Sequence, residues 1–96
     1  MEIIISKSTN KNKKFDVVVD NKKISFGQDG ASDFTIHKDP ARKERYISRH
    51  AKREDWDKSG VKTAGYWSRW VLWNKDTLHK SIDDISRKHN MNIKMK

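Results

Sequence analysis

Short runs of β-branched and aromatic residues alternate with polar stretches through the first third of the chain. Ile3 to Ser6, Phe15 to Val19 and Ile24 to Phe26 are rich in the residue types that favour extended strands. Asp20 to Lys23 separates the last two runs, and Asp and Asn tolerate the left-handed backbone of a tight turn. The pattern predicts one strand followed by a β-hairpin, while the order of the strands in the sheet stays open.

Helical signals follow the three predicted strands. Ser32 is a candidate cap for a single turn that runs through Ile36. Asp39 comes directly before Pro40, so a capping carboxylate precedes a proline at the first helical position. This pair predicts a helix from about Pro40 to Arg53.

The second half of the chain predicts two more helices and a last strand. A short helix is expected to start near Thr63, and Asp76 is the candidate cap of a final helix with one apolar stripe of Leu78, Ile82 and Ile85. Residues 91–96 alternate apolar and polar side chains, which predicts a strand that pairs back onto the sheet. We therefore expect one α+β domain over residues 1–96, with a small antiparallel sheet packed against about three helices.

Charge narrows the kind of partner this domain can have. The 22 lysines and arginines exceed the 13 acids, and the formal net charge is +9. So much charge on so small a domain repels itself, and a polyanionic partner would remove that cost. Nucleic acid is favoured over an acidic membrane surface. Cysteine is absent, which excludes disulfides and thiolate metal sites, and Ile3 to Ile5 is too short for a signal peptide or a membrane span.

The helix expected after Pro40 carries the main candidate site. At about 100° per residue, six basic residues fall within one sector roughly 100° wide, namely Lys38, Arg42, Arg45, Arg49, Lys52 and Arg53. The nearby acids Glu44, Glu54 and Asp55 lie outside this sector. Like charges at i,i+4 spacing destabilise a helix by a few tenths of a kcal/mol per pair. A solvated charged face is the plainer interpretation, but this separation of signs favours a surface for DNA phosphates.

Three further lysines and one arginine extend the prediction. Residues 7–14 form a polar connection that is expected to be mobile and to add Lys11, Lys13 and Lys14 to the DNA surface. Arg69 lies between tryptophans, so it either extends the basic surface or stacks on a ring. The aromatic block Tyr66 to Trp73 is interpreted mainly as core rather than as a stacking platform for bases, and Trp56 is the expected exposed aromatic.

Catalysis is not expected. The four histidines, His37, His50, His79 and His89, follow no metal-ligand spacing. Gly-rich phosphate loops and nucleophile elbows are absent from the sequence. Asp39 is better used as a helix cap than as a Mg²⁺ ligand, so neither a cofactor nor a metal site is predicted.

Two blocks of residues resemble a known viral family. The first includes Ser32-Asp33-Phe34-Thr35, His37-Lys38-Asp39, Arg45-Tyr46-Ile47 and Arg49-His50, and the second Thr63-Ala64-Gly65-Tyr66-Trp67-Ser68-Arg69-Trp70 and Leu72-Trp73-Asn74-Lys75. Over residues 24–82 the chain resembles the small basic proteins of nucleocytoplasmic large DNA viruses that have been called mini-ubiquitous proteins. The resemblance implies a DNA-binding protein of the virion that helps compact or package the genome, made in the host cytoplasm or reaching the nucleus. It names no catalytic residues.

These observations favour sequence-tolerant binding of double-stranded DNA through the phosphate backbone. Compaction needs DNA segments to be bridged, so a homodimer or a second basic face is expected. One alternative is a structural component that holds other virion proteins together and uses its charge only for solubility. A second alternative is single-stranded RNA binding through exposed tryptophan, and an enzyme comes last.

Overall fold

The computed structural model describes residues 2–96, in which four strands form one mixed sheet with helices on one of its faces. The strands are β1 (Glu2–Lys7), β2 (Lys13–Val19), β3 (Lys22–Gln28) and β4 (Asn92–Met95), and they lie in the order β3-β2-β1-β4. The predicted α+β class is confirmed. Among residues 2–96 no helix has the length and apolar character needed to cross a membrane.

The predicted hairpin is confirmed, and the last strand joins the sheet in a different direction from the one expected. Asp20 and Asn21 take positive φ angles of 50° and 67° at the tight turn between β2 and β3. β1, β2 and β3 pair antiparallel, whereas β4 pairs parallel to β1, with Glu2 opposite Asn92. The direction differs because the last helix carries the chain back to the end of the sheet where β1 starts.

The helical layer is built from short segments. They are α1 (Phe34–His37), α2 (Pro40–His50), a 3-10 turn (Lys58–Gly60), α3 (Ala64–Trp67), a π-helical turn that continues it (Ser68–Leu72) and α4 (Leu78–Lys88). α2 is shorter than predicted, since residues 51–53 form a turn instead of a further helical turn.

Of the three predicted helix caps, Asp39 is confirmed and two are wrong by one residue, and the short helix begins after Thr63 as expected. Asp39 caps α2, and Thr63 caps α3. At α1 the cap is Asp33 rather than Ser32, because the Asp33 carboxylate accepts a hydrogen bond from the Thr35 N–H at 2.9 Å. At α4 the cap is Thr77 rather than Asp76, and its hydroxyl accepts from the Lys80 N–H at 3.1 Å.

The core lies between one face of the sheet and the aromatic block, as predicted. The sheet contributes alternate residues of β1, β2 and β3, and the helical layer contributes Tyr66, Trp67, Trp70, Val71, Leu72 and Ile85. The indole N–H of Trp67 donates to the Val61 carbonyl at 2.7 Å, and that of Trp70 to the Trp56 carbonyl at 2.8 Å. These bonds satisfy the two polar atoms that burying the rings would otherwise leave without a partner.

The lysine-rich connection is shorter than residues 7–14. Lys7 lies in β1, and Lys13 and Lys14 lie in β2, so only residues 8–12 connect the strands. The buried Asp16 carboxylate accepts hydrogen bonds from the Ser8 hydroxyl and the Thr9 N–H. Burial raises the pKa of Asp16, but these hydrogen bonds, a third from Ser25 and the nearby charge of Lys23 outweigh it, and the pKa falls below its usual range.

Candidate nucleic-acid interface

Helix α2 lies on the surface and is held to the body of the protein mainly by one aromatic residue. Tyr46 is the only buried residue of α2. Its ring stacks on His50 at 4.2 Å and on Trp73 at 4.3 Å between ring centroids. Burial, reinforced by the negative charge of Glu54, raises the pKa of Tyr46 to about 12, so its hydroxyl stays neutral. The exposed flank of the helix is left free to meet a partner.

The three arginines of the predicted stripe that lie on the helix share one flank of α2. Arg42, Arg45 and Arg49 occupy positions i, i+3 and i+7, within a sector of about 60° at 100° per residue. All three are exposed, and none forms an ion pair with an acid in residues 2–96. Their charges are therefore not neutralised by the described part of the protein.

Three more residues of the stripe lie beyond the ends of the helix. Lys52 and Arg53 are exposed in the turn after α2 and, within the described chain, also lack an acidic partner. Lys38 is exposed at the end of α1, where its ammonium donates to the carbonyl oxygens of Thr35 and Asp76 at 3.0 and 2.6 Å. Lys38 is tethered by these two hydrogen bonds, so the untethered cations of the stripe are the other five.

Lys43 is a basic residue of α2 that lies outside the stripe, and its side chain is half-buried. Its ammonium lies 4.9 Å from the centre of the Phe34 ring. Burial, together with the charges of Arg69 and Lys75, lowers the pKa of Lys43. Lys43 therefore packs α2 against α1 as a cation over an aromatic face.

Arg69 stacks on aromatic rings, which is one of the two roles predicted for it. Its guanidinium lies 4.4 Å from the centre of the Trp70 ring and 5.5 Å from that of Trp56, and it donates to the Trp73 carbonyl at 2.7 Å. Burial lowers the pKa of Arg69, although arginine remains charged. Because the side chain is half-buried and engaged internally, Arg69 is not part of the exposed stripe.

The lysines of the β1–β2 hairpin divide into two groups. Lys14 forms an ion pair with Asp33, and the two side chains are only 14% and 3% exposed. Its charge is neutralised inside the protein, so placing Lys14 on the DNA surface was wrong. Lys11 and Lys13 are exposed. Lys13 and Arg49 line the same cleft of about 400 Å³ between the hairpin and α2, which links the stripe to the hairpin.

The expectation that Trp56 is the exposed aromatic is wrong. Trp56 is half-buried and packs against the core, with its ring roughly parallel to that of Tyr46 at 6.3 Å. Trp67 and Trp70 are buried, and Trp73 is covered by Tyr46 on one face. None of the four tryptophans is among the exposed large hydrophobic side chains, which disfavours the interpretation as a single-strand binder.

The exposed arginines of α2 can bind anions. Arginine presents five N–H donors in a planar fork that fits the oxygens of a phosphate, and it stays charged at every physiological pH. Within residues 2–96 no group of three His, Asp or Glu side chains is placed to hold a metal ion. The fold and the stripe together define a small α+β domain with one basic helix on its surface.

Comparison with known proteins identifies a family whose function is unknown. The chain belongs to a family of unknown function, DUF5754, whose model matches residues 3–50. The match spans β1 to α2 and includes Arg42, Arg45 and Arg49. No curated protein and no solved structure matches the chain.

Proposed function

We propose that this protein binds double-stranded DNA through its phosphate backbone, with little dependence on base sequence. The observation that carries the proposal is the set of five exposed cations without an acidic partner in residues 2–96, all on or directly after α2: Arg42, Arg45, Arg49, Lys52 and Arg53. Contacts to phosphates position a protein on DNA without reporting which bases are present.

The spacing of the arginines suits a polyanion. From Arg42 to Arg49 the helix rises about 10 Å at 1.5 Å per residue. Duplex DNA carries one negative charge per 1.7 Å of its axis, so a length of about 10 Å presents about six phosphates. The arginines repel one another, which by itself disfavours the helix. Phosphates that lie between them would attract each arginine and offset this repulsion.

Packaging of a viral genome is the role that the family resemblance implies, and we adopt it as part of the proposal. Packaging needs DNA segments to be held together. Lys13 on the hairpin and Arg49 on α2 line one cleft, and these two residues, together with the exposed Lys11, could contact neighbouring strands. Bridging over longer distances would use a homodimer. We place the protein in the virion and, during infection, in the host cytoplasm.

A charge-reversal experiment tests the proposal. Arg42→Glu, Arg45→Glu and Arg49→Glu combined should weaken duplex affinity by roughly a hundredfold or more, because three phosphate contacts become repulsions. The circular dichroism spectrum should stay unchanged, since all three side chains are exposed.

The matched control changes the net charge by the same amount elsewhere. Lys22, Lys58 and Lys94 are exposed and lie outside α2, and we would replace all three with Glu. This variant should lose less than about tenfold, since only the long-range field changes. Equal losses in the two triple variants would mean that the stripe has no special role.

A further inference from the structure

The described chain contains an apolar groove that no residue of the basic stripe lines. It has a volume of about 640 Å³, and its apolar lining is formed by Phe15, Ile36, Leu72, Leu78 and Met95. Ile36 is 61% exposed and Met95 44% exposed. The third exposed large hydrophobic residue, Val18, lies on the opposite face of the sheet, between the buried Val17 and Val19. Exposed apolar side chains are thus concentrated at one place, which is typical of a binding groove.

The rim of this groove carries positive charge. Lys7, Lys13 and Lys96 line it, and Lys14 also reaches it but is paired with Asp33. Asp29 is the one rim acid without such a pair in the described residues. An occupant with apolar side chains flanked by carboxylates would match both the floor and the rim, whereas a second copy of this chain would bring the same lysines against them.

The groove continues along the edge of the sheet. A second furrow of about 520 Å³ between α4 and β4 shares Leu78 and Met95 with it and adds Ile82 and Ile93. β4 is the last strand in the order β3-β2-β1-β4, so one edge of it has no neighbouring strand in the described chain. An extended segment can pair with such an edge while its alternate side chains enter the pockets beside it.

We propose that this lysine-rimmed groove docks an acidic, amphipathic segment of another protein, with apolar side chains against Ile36, Leu78 and Met95 and carboxylates at Lys7 and Lys96. The stripe on α2 does not take part in this contact. One molecule can then hold DNA and a protein partner at the same time. The proposal does not rest on DNA binding and can hold if that proposal fails.

A synthetic peptide tests the groove directly. The probe alternates leucine with glutamate and carries a fluorophore, and its binding to the full chain is followed by anisotropy. Ile36→Ser and Met95→Ser should each weaken binding by about tenfold, the scale of a buried interface anchor. Val18→Ser is the matched control, because it removes an exposed apolar side chain from the other face of the sheet, and it should leave the affinity unchanged.

Two further measurements locate the contact. Methyl resonances of Ile36 and Met95 should shift on addition of the peptide, and a peptide with lysine in place of glutamate should not bind. Ile36→Ser and Met95→Ser should leave the affinity for duplex DNA unchanged, which separates this groove from the stripe.

Several results would overturn the proposal. They are equal binding of the acidic peptide to Val18→Ser and Ile36→Ser, equal binding of the lysine peptide, and no shift of the two methyl groups. Self-association of the chain that Met95→Ser abolishes would assign the groove to a second copy instead. Binding of anionic lipid vesicles but not of the peptide would assign it to a membrane surface.

Discussion

Helices α2 and α4 have the same length but differ in whether their basic residues are paired with acids. Each is eleven residues long and lies on the surface. In α4, Lys80 is paired with Asp76 at 3.3 Å and Arg87 with Asp83 at 2.6 Å, each one turn away, while Lys88 lies over the Trp70 ring. In α2 the arginines have no such partner in the described chain.

The two helices also differ in how much of their surface is buried against the rest of the protein. α4 presents an apolar stripe to the core and buries Ser81 and the whole side chain of Ile85. α2 buries only Tyr46. Most helical stability in proteins comes from packing of an apolar face, so α4 has the composition of a structural helix. The unpaired charges of α2 contribute nothing to folding, and binding of a polyanion is the use that fits them.

The largest expected effect on stability comes from the buried face of α4. Ile85→Ala should lower the free energy of unfolding by about 3 kcal/mol, because it removes a fully buried side chain and leaves a cavity. Ile47→Ala in α2, where the side chain is only half-buried, should cost roughly 1 kcal/mol. Urea denaturation measures both values. Similar losses in the two helices would contradict the contrast in packing.

Giving α2 an ion pair like those of α4 should move stability and binding in opposite directions. In Ala41→Glu, a carboxylate in the first turn would lie one turn before Arg45, which should raise stability by a few tenths of a kcal/mol. The same pair would occupy an arginine of the stripe, and duplex affinity should fall by about fivefold. Ala41→Gln is the control that adds length without charge. A gain in affinity for Ala41→Glu would be incompatible with a phosphate-binding stripe.

The end of α4 should make stability depend on pH, whereas binding should not. The Tyr66 hydroxyl lies 2.6 Å from His89 Nδ1, and burial, with the charges of Lys88 and Lys58 added, lowers the pKa of His89 below its ordinary value of 6.5. The unfolded chain therefore takes up a proton at a higher pH than the folded protein. The contribution of His89 to stability is complete above pH 6.5 and is lost as the pH falls through the lowered pKa.

His89→Asn separates this effect from other titrations. Asn keeps an acceptor for the Tyr66 hydroxyl but cannot gain a proton in this range. Stability profiles of the two proteins should converge above pH 6.5 and diverge below it, with the wild type declining more steeply. Parallel profiles would rule out His89 as the cause. Duplex affinity should change little over the same range, because arginine does not titrate there.

The smallest expected effect comes from breaking a pair in α4. Asp83→Asn frees Arg87 and should cost only a few tenths of a kcal/mol, since the pair is exposed to solvent. If the position of an arginine matters as well as its charge, the freed Arg87 should raise duplex affinity less than twofold. Thermal melting and a shift assay measure the two effects. A large gain in affinity would mean that the whole surface, and not α2, contacts the DNA.

Local signals were sufficient to predict most of the fold. Periodicity and turn residues predicted all four strands, and Asp39-Pro40 placed the start of α2 correctly. The errors lie where two residues compete for one local role, since Asp33 and Thr77 cap helices that Ser32 and Asp76 could also have capped. The direction of β4 depends on the whole helical layer, and no local signal encodes it.

Long-range contacts explain what the sequence could not predict about the candidate site. Helical periodicity was sufficient to predict that Arg42, Arg45 and Arg49 share one flank, because the helix itself sets their spacing. Lys14 is paired with Asp33, which lies nineteen residues away in the sequence, so no local pattern could indicate that its charge is neutralised. Arg69 turned inward because Trp56 and Trp70 meet around it only in the folded protein.

The dependence of duplex affinity on salt is the sharpest test of phosphate binding by α2. The five exposed cations on or directly after α2, none of which has an acidic partner in residues 2–96, predict that log K falls with log salt at a slope of about −4.5, close to 0.9 per phosphate contacted. Two duplexes of unrelated sequence should give the same slope and similar affinities. An affinity that stays constant between low and high salt would contradict the account, because it would mean that α2 neutralises no phosphates.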